Sequence, residues 1–90
     1  MKITNTFYTI NGLYKLMEKA LKRNDYDRVD AIEKVMDVLI WVERQNKVIA
    51  SYSKGYIKLT TTNKVSYVKY SEMLNKYEKE ANEFWKNELL

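Results

Sequence analysis

The sequence predicts one mostly helical α+β domain over residues 1–90, with an antiparallel helical hairpin, then a β-hairpin, then a long C-terminal helix. Three observations predict this order. Apolar residues recur at spacings of three and four through residues 7–45 and again towards the C-terminus. Two β-like runs between these regions flank the turn sequence of residues 53–55. The chain has 90 residues, no Pro and only two Gly, so we expect a single compact unit without a linker.

The first helix is predicted from Phe7 to Arg23. Its apolar stripe consists of Ile10, Leu13, Tyr14, Met17, Ala20 and Leu21. The Thr and Asn side chains of residues 4–6 are suitable N-caps, because their oxygens accept from the first free amides of a helix. Lysine and arginine crowd residues 19–23, where cations suit the negative end of the helix dipole.

A second helix is predicted from Tyr26 to Gln45, after a turn at Asn24-Asp25. Its apolar stripe consists of Val29, Ile32, Val35, Met36, Leu39 and Val42. The apolar run at residues 38–42 also includes Trp41, which lies outside that stripe. Either this helix is central to the fold or Trp41 faces a partner. A strand over 38–42 is the alternative, but the helical period upstream favours a helix.

A β-hairpin is predicted from two strands at residues 47–52 and 56–61, joined by a three-residue loop that ends at Gly55. An isolated hairpin is marginally stable in water, so one of its faces must pack on the helices. We expect that face to carry Ile49, Ile57 and Leu59.

The C-terminal helix is predicted from a long apolar stripe. This stripe consists of Tyr67, Tyr70, Leu74, Tyr77, Ala81 and Phe84. We favour one long helix that begins between residues 62 and 66. The alternative makes residues 65–70 a third strand, with Ser71 capping a shorter helix. The same stripe is a candidate seam for a homodimer, since tyrosines are favoured at interfaces.

Charge is distributed unevenly along the chain. Residues 44–71 contain six basic residues and no acidic residue, with four tyrosines interleaved among them. Residues 24–43 contain six acidic and two basic residues, and residues 72–90 contain five acidic and three basic residues. A basic segment with interleaved aromatic residues can present a surface to an anionic partner.

The partner-binding residues are therefore expected mainly in this basic segment. The predicted set is Lys47, Tyr52, Lys54, Tyr56, Lys58, Lys64 and, in the last helix, Trp85. The lysines would contact phosphate or carboxylate groups while a tyrosine stacks on a base or sugar. Under the alternative interpretation, these lysines only solubilise an exposed strand edge. Lysines at residues 15–22 form a second basic face on the first helix.

The composition excludes several kinds of chemistry. The chain has no Cys and no His, so it lacks thiolate nucleophiles, imidazole bases and the usual zinc ligands. It also has no glycine-rich phosphate loop. We expect no enzyme activity, catalytic residue, cofactor or metal. The apolar run at 38–42 is too short for a bilayer and no signal peptide is visible, which predicts a cytoplasmic protein without membrane contact.

The leading functional hypothesis is a non-catalytic binding module that acts through a protein interface. A small chain rich in Lys, Asn and Tyr suits a phage or mobile-element accessory protein that binds and inhibits a host protein. One alternative is a small basic DNA- or RNA-binding regulator that uses residues 44–71. With only three Arg among its basic residues, the chain is poorly suited to sequence-specific base readout. A second alternative is a structural homo-oligomer built through the C-terminal helix.

Overall fold

A computed structural model describes residues 6–89 of the chain and the side chains of residues 6–84. Within that part, three helices accompany a four-stranded antiparallel sheet of strand order β1-β2-β3-β4. The elements in chain order are β1 (Tyr8–Thr9), α1 (Ile10–Lys22), α2 (Tyr26–Asn46), β2 (Ile49–Ser53), β3 (Tyr56–Thr60), β4 (Val65–Lys69) and α3 (Tyr70–Leu89). The predicted fold class, a helical hairpin followed by a β-hairpin and a long C-terminal helix, is confirmed.

The helix α1 begins three residues later than predicted. Thr9 is its N-cap, and the Thr9 hydroxyl accepts a 3.3 Å hydrogen bond from the amide of Gly12. Tyr8 and Thr9 are not helical because they pair with β2, opposite Tyr52 and Ser51. The predicted start at Phe7 is therefore wrong, and so is the N-cap at Thr6. The other cap candidates, residues 4 and 5, lie outside the described residues.

The helix α2 lies between α1 and the strand β2 in the chain. Asp25 is its N-cap and accepts a 3.3 Å hydrogen bond from the amide of Arg28. The helix runs without interruption through residues 38–42, which confirms the helical interpretation of that run. It ends with Lys47 in the left-handed conformation, at φ 52° and ψ 48°, and this residue turns the chain into β2.

The hairpin loop contains two residues, one fewer than predicted. Ser53 pairs with Tyr56, and the loop between them is Lys54-Gly55. Both loop residues have positive φ, 42° at Lys54 and 89° at Gly55. Positive φ at both central positions is the signature of a type I′ turn, whose twist matches that of the flanking strands.

This shorter loop changes which side chains face the helices. Ile49 pairs with Thr60, and Ala50 pairs with Leu59. Ala50 is fully buried, whereas Ile49 is 61% exposed. The expectation that Ile49 joins Ile57 and Leu59 on the inner face is wrong, because side chains alternate between faces and a shift of one residue reverses them.

The prediction that the C-terminal helix begins between residues 62 and 66 is also wrong, because residues 65–69 form the strand β4. This strand pairs antiparallel with β3 from Val65 opposite Thr60 to Lys69 opposite Tyr56. The β-branched and aromatic residues of β4 suit a strand, and β3 offers it a free edge of backbone groups. The helix α3 then begins at Tyr70, whose amide donates a 2.9 Å hydrogen bond to the carbonyl of Gly55.

The helices cover one face of the sheet, and the core lies between these two layers. The buried cluster consists of Leu13, Val35, Val38, Leu39, Val42, Ala50 and Ile57. α2 supplies four of these seven residues, so it is the central helix. Trp41 is half-buried and packs edge-on against Tyr77 of α3, with ring centroids 6.0 Å apart. Within residues 6–89, no helix covers the other face of the sheet.

Candidate binding face on the sheet

The face of the sheet turned away from the helices, called the outer face below, is built by alternate residues of the strands. It consists of Thr9, Ile49, Ser51, Ser53, Tyr56, Lys58, Thr60, Val65, Tyr67 and Lys69. The rings on this face are open to solvent, with Tyr56 48% exposed and Tyr67 53% exposed. Exposed aromatic side chains grouped on one face are typical of an interaction surface.

On the outer face, tyrosine and lysine alternate both along each of the strands β3 and β4 and across from one strand to the other. Along β3 the outer-face residues are Tyr56 and then Lys58, and along β4 they are Tyr67 and then Lys69. Across the strands, Tyr56 lies opposite Lys69 and Lys58 lies opposite Tyr67. Each ring therefore has an ammonium group as its direct cross-strand neighbour, and the two tyrosines lie on a diagonal.

Phe7, which precedes β1, packs beside this arrangement. Its ring centroid lies 5.8 Å from that of Tyr67, with the two rings tilted by 53°. The Nζ atom of Lys58 lies 5.6 Å from the Phe7 centroid, within cation–π range. The small residues Ser51 and Ser53 leave room for these larger side chains on the same face. Phe7 thus holds Lys58 and Tyr67 in a defined arrangement.

The electrostatics of the outer face come from the absence of acidic residues in the strands. Every acidic residue of the sequence lies in a helix or at the N-cap Asp25. Five lysines lie on the outer face or at its two ends, namely Lys47, Lys54, Lys58, Lys64 and Lys69. No carboxylate belongs to the strands, so these ammonium groups are not neutralised within the sheet. The outer face is therefore a basic surface with exposed rings.

Most of the sequence-predicted binding residues come together around the outer face. Tyr56 and Lys58 belong to it, and Lys54 lies at the hairpin tip beside Tyr56. Lys47 and Lys64 lie at the opposite end, next to the first residues of β2 and β4. The backbone of Trp85 belongs to α3, but its side chain lies outside the described residues.

Tyr52 is separated from the other predicted residues because it lies on the inner face. Its ring packs edge-on against Tyr70, with centroids 5.2 Å apart and planes at 78°. Burial raises the pKa of Tyr70 above its ordinary value, and the nearby Tyr52, Glu78 and Asp37 raise this pKa further. This pair therefore belongs to the packing between the sheet and α3.

The predicted set of partner-binding residues omits Phe7, Tyr67 and Lys69, although Tyr67 belongs to the candidate dimer seam and Lys69 to the basic segment. For Tyr67 and Lys69 a usable signal existed, because they alternate with Ser66 and Val68 in a strand pattern that matches Tyr56 and Lys58. Phe7 had no local signal, since only the pairing of β1 with β2 brings it to the sheet.

A separate cleft of about 570 Å³ lies on the helix side of the molecule. Apolar side chains of both helices, including Leu13, Leu16 and Ile32, line it together with Arg28 and Lys54. Among the described residues that line it there is no carboxylate.

The chain matches no protein-family model, no curated protein and no solved structure. Among residues 6–89, none of the helices combines the length and the apolar character needed to cross a bilayer. What characterises this protein is therefore its own architecture. It has an antiparallel sheet with helices on one face, and the other face is basic and aromatic.

Proposed function

We propose that this protein is a non-catalytic binding module that contacts an anionic macromolecule through the outer face of its sheet. The observation that carries the proposal is the alternation of exposed tyrosines and lysines on a face whose strands contain no acidic residue. The open face of an antiparallel sheet is ordinarily polar. Here Ile49 is 61% exposed and Val65 is 49% exposed beside the rings, so the face has the mixed character of an interface.

Two of the lysines occupy backbone positions that disfavour them. Lys47 and Lys54 have φ of 52° and 42°, at the two ends of β2. A left-handed conformation costs a non-glycine residue about 1–2 kcal/mol, and Gly or Asn is the common choice there. Unfavourable backbone positions concentrate at functional sites. The presence of lysine at both positions supports a role for their ammonium groups in binding.

An acidic protein surface is one partner that suits this face. Such a partner agrees with the hypothesis of a phage or mobile-element accessory protein that inhibits a host protein. The exposed Ile49 and Val65 favour it, because they would add apolar contact area to the charge pairing. Nucleic acid is the alternative partner class, favoured by the alternation of rings and lysines.

A homo-oligomer formed through α3 is a third proposal with less support. Tyr77, in the middle of the predicted seam, is half-buried and packs against Trp41 of the same chain. Further along the stripe, Phe84 is 57% exposed. The part of the seam open to a second copy is therefore shorter than the sequence pattern suggested.

The proposal is tested by retention on a heparin column, with heparin as a strongly anionic macromolecule. The double variant Lys58→Glu/Lys69→Glu reverses two charges on the outer face and should elute at clearly lower salt than the wild type. Its matched control is Lys15→Glu/Lys19→Glu, which makes the same charge change on α1. An equal shift in both variants would assign binding to net charge, and would overturn the role of the outer face.

A further inference from the structure

Resting on the proposed function, we infer that the partner of the outer face is single-stranded nucleic acid. Its bases stack on Tyr56 and Tyr67, and its phosphates contact the neighbouring lysines. Stacking on exposed rings combined with a basic surface is the common mode of sequence-tolerant single-strand binding. The inference is carried by the spacing of the two rings and by their alternation with lysine.

The spacing of the rings selects a single strand over a duplex. Tyr56 and Tyr67 are diagonal neighbours on adjacent antiparallel strands, a relationship that separates residues by about 7–8 Å. Successive bases in a duplex strand rise by only about 3.4 Å. Two neighbouring bases that stack on these two rings must therefore separate from one another. A single strand separates its bases readily, whereas a duplex would have to unpair.

The alternation of side chains matches the repeat of a nucleic acid strand. Each nucleotide offers one flat base and one phosphate, and two cross-strand pairs on the outer face each offer one ring and one ammonium group. An acidic protein segment would use the ammonium groups but has no flat base to place on each ring. This one-to-one alternation favours nucleic acid over an acidic protein as the partner.

The remaining lysines extend the path of the strand beyond the two tyrosines. Lys54 lies at the hairpin tip beyond Tyr56, and Lys64 lies beside the start of β4 at the other end. A five-residue strand is about 17 Å long, so these charges bracket a site for a few nucleotides. Phosphate contacts of this kind position a strand without reading its sequence.

Base identity is not expected to matter strongly. The outer face contains no Arg, and bidentate Arg contacts to guanine are the commonest specific contacts. Stacking on tyrosine tolerates any base, because every base has an aromatic face. The contact of Phe7 with Tyr67 holds this ring before binding, which reduces the ordering that binding requires.

The experiment is fluorescence anisotropy with a labelled oligothymidylate of about 15 nucleotides, at about 50 and 200 mM salt. With three to five phosphates neutralised, the affinity should fall roughly 20- to 100-fold between these salt concentrations. The Tyr56→Leu and Tyr67→Leu variants should each raise Kd by about 5- to 150-fold, which corresponds to the stacking of one base.

Two control variants separate stacking from other effects. Tyr14→Leu makes the same change at an exposed tyrosine of α1 and should leave Kd unchanged. Tyr67→Phe keeps the ring and should retain most of the affinity, which would assign binding to the ring and not to the hydroxyl group. Circular dichroism of each variant reports whether its fold is intact.

The competing outcomes are separated by two further probes, a duplex of the same length and poly-L-glutamate. Equal affinity for the duplex, or binding that is insensitive to both Tyr→Leu changes, would overturn the inference. Poly-L-glutamate that competes as well as the oligonucleotide would overturn it too, but would leave the proposed anion-binding function intact. If neither the oligonucleotide nor poly-L-glutamate binds at the lower salt, the inference and the proposed function both fail.

Discussion

The carboxylate of Glu43 accepts a 2.9 Å hydrogen bond from the backbone amide of Ala50, and this contact joins the end of α2 to the start of the sheet. Ala50 lies one residue beyond the part of β2 that pairs with β1, because β1 ends at Thr9 opposite Ser51. The Glu43 side chain thus provides an acceptor for an amide of a buried residue that β1 does not reach. This contact fixes the position of the sheet against its central helix.

Replacing Glu43 should destabilise the fold through this amide. Glu43→Ala leaves the amide of buried Ala50 without its acceptor, which costs about 1–3 kcal/mol. Glu43→Gln keeps an acceptor oxygen and should cost less. Urea unfolding monitored by circular dichroism measures both, with the exposed Gln45→Ala as a control on the same turn. Equal loss in Glu43→Gln and Glu43→Ala would show that the hydrogen bond is not the cause.

The register of β2 and β3 makes a second prediction. Ile57 is completely buried, so Ile57→Ala should cost about 2–5 kcal/mol through lost packing and the resulting cavity. Ile49 is mostly exposed on the outer face, and Ile49→Ala should change the free energy of unfolding by less than about 0.5 kcal/mol. Midpoints of urea unfolding compare the two. Similar losses at both positions would contradict the observed register.

The hairpin loop offers a stabilising change. Lys54 has a φ of 42°, which Asn tolerates better than Lys does. We expect Lys54→Asn to stabilise the protein by several tenths to about 1 kcal/mol, measured as a higher Tm. Lys64→Asn removes the same charge without a left-handed residue and is the control. A Tm increase of the same size in both variants would attribute the gain to charge.

Tyr70 gives a prediction for alkaline pH. Its pKa is raised, chiefly by burial, so the folded state holds the phenolic proton more tightly than the unfolded state does. This contribution is fully present below the ordinary tyrosine pKa of about 10, and it is lost as the pH rises towards the folded-state pKa. When the pH is raised from about 9 to 11, the free energy of unfolding should therefore fall less for Tyr70→Phe than for the wild type.

The measurement for Tyr70 is Tm against pH for the wild type and Tyr70→Phe, with the difference between them as the quantity of interest. Contributions common to both proteins cancel in that difference. Tyr56→Phe, on the exposed outer face, is the control. A difference that stays constant with pH would contradict the role assigned to burial at Tyr70.

The sequence predicted the order of elements because helical periodicity is a local property. The stripes of α1 and α2 are long enough to identify both helices without tertiary information. At β4 two patterns overlap, since Tyr67 and Tyr70 continue the helical spacing of α3 while Val65–Lys69 also suits a strand. Only pairing with β3 decides between them, and that pairing is a tertiary interaction.

The sequence predicted which segment of the chain carries the candidate site. It did not predict which side chains of that segment lie together on one face of the sheet. The absence of carboxylates around Tyr56 and Lys58 is visible in the sequence, and it predicts that this segment is basic. The side of the sheet on which Tyr52 lies depends on whether the loop has two residues or three. Phe7 joins Lys58 from about 50 positions away in the chain, and a strand as short as β1 leaves almost no pattern to detect.

The uneven distribution of charge also gives the molecule a preferred direction of approach. Carboxylates outnumber basic side chains on α2 and α3, whereas the strands carry lysines and no carboxylate. A polyanion that diffuses towards α2 and α3 is repelled, whereas one that arrives at the outer face of the sheet is attracted. Early encounters are thereby oriented before any specific contact forms. Added salt should consequently slow association more than it speeds dissociation.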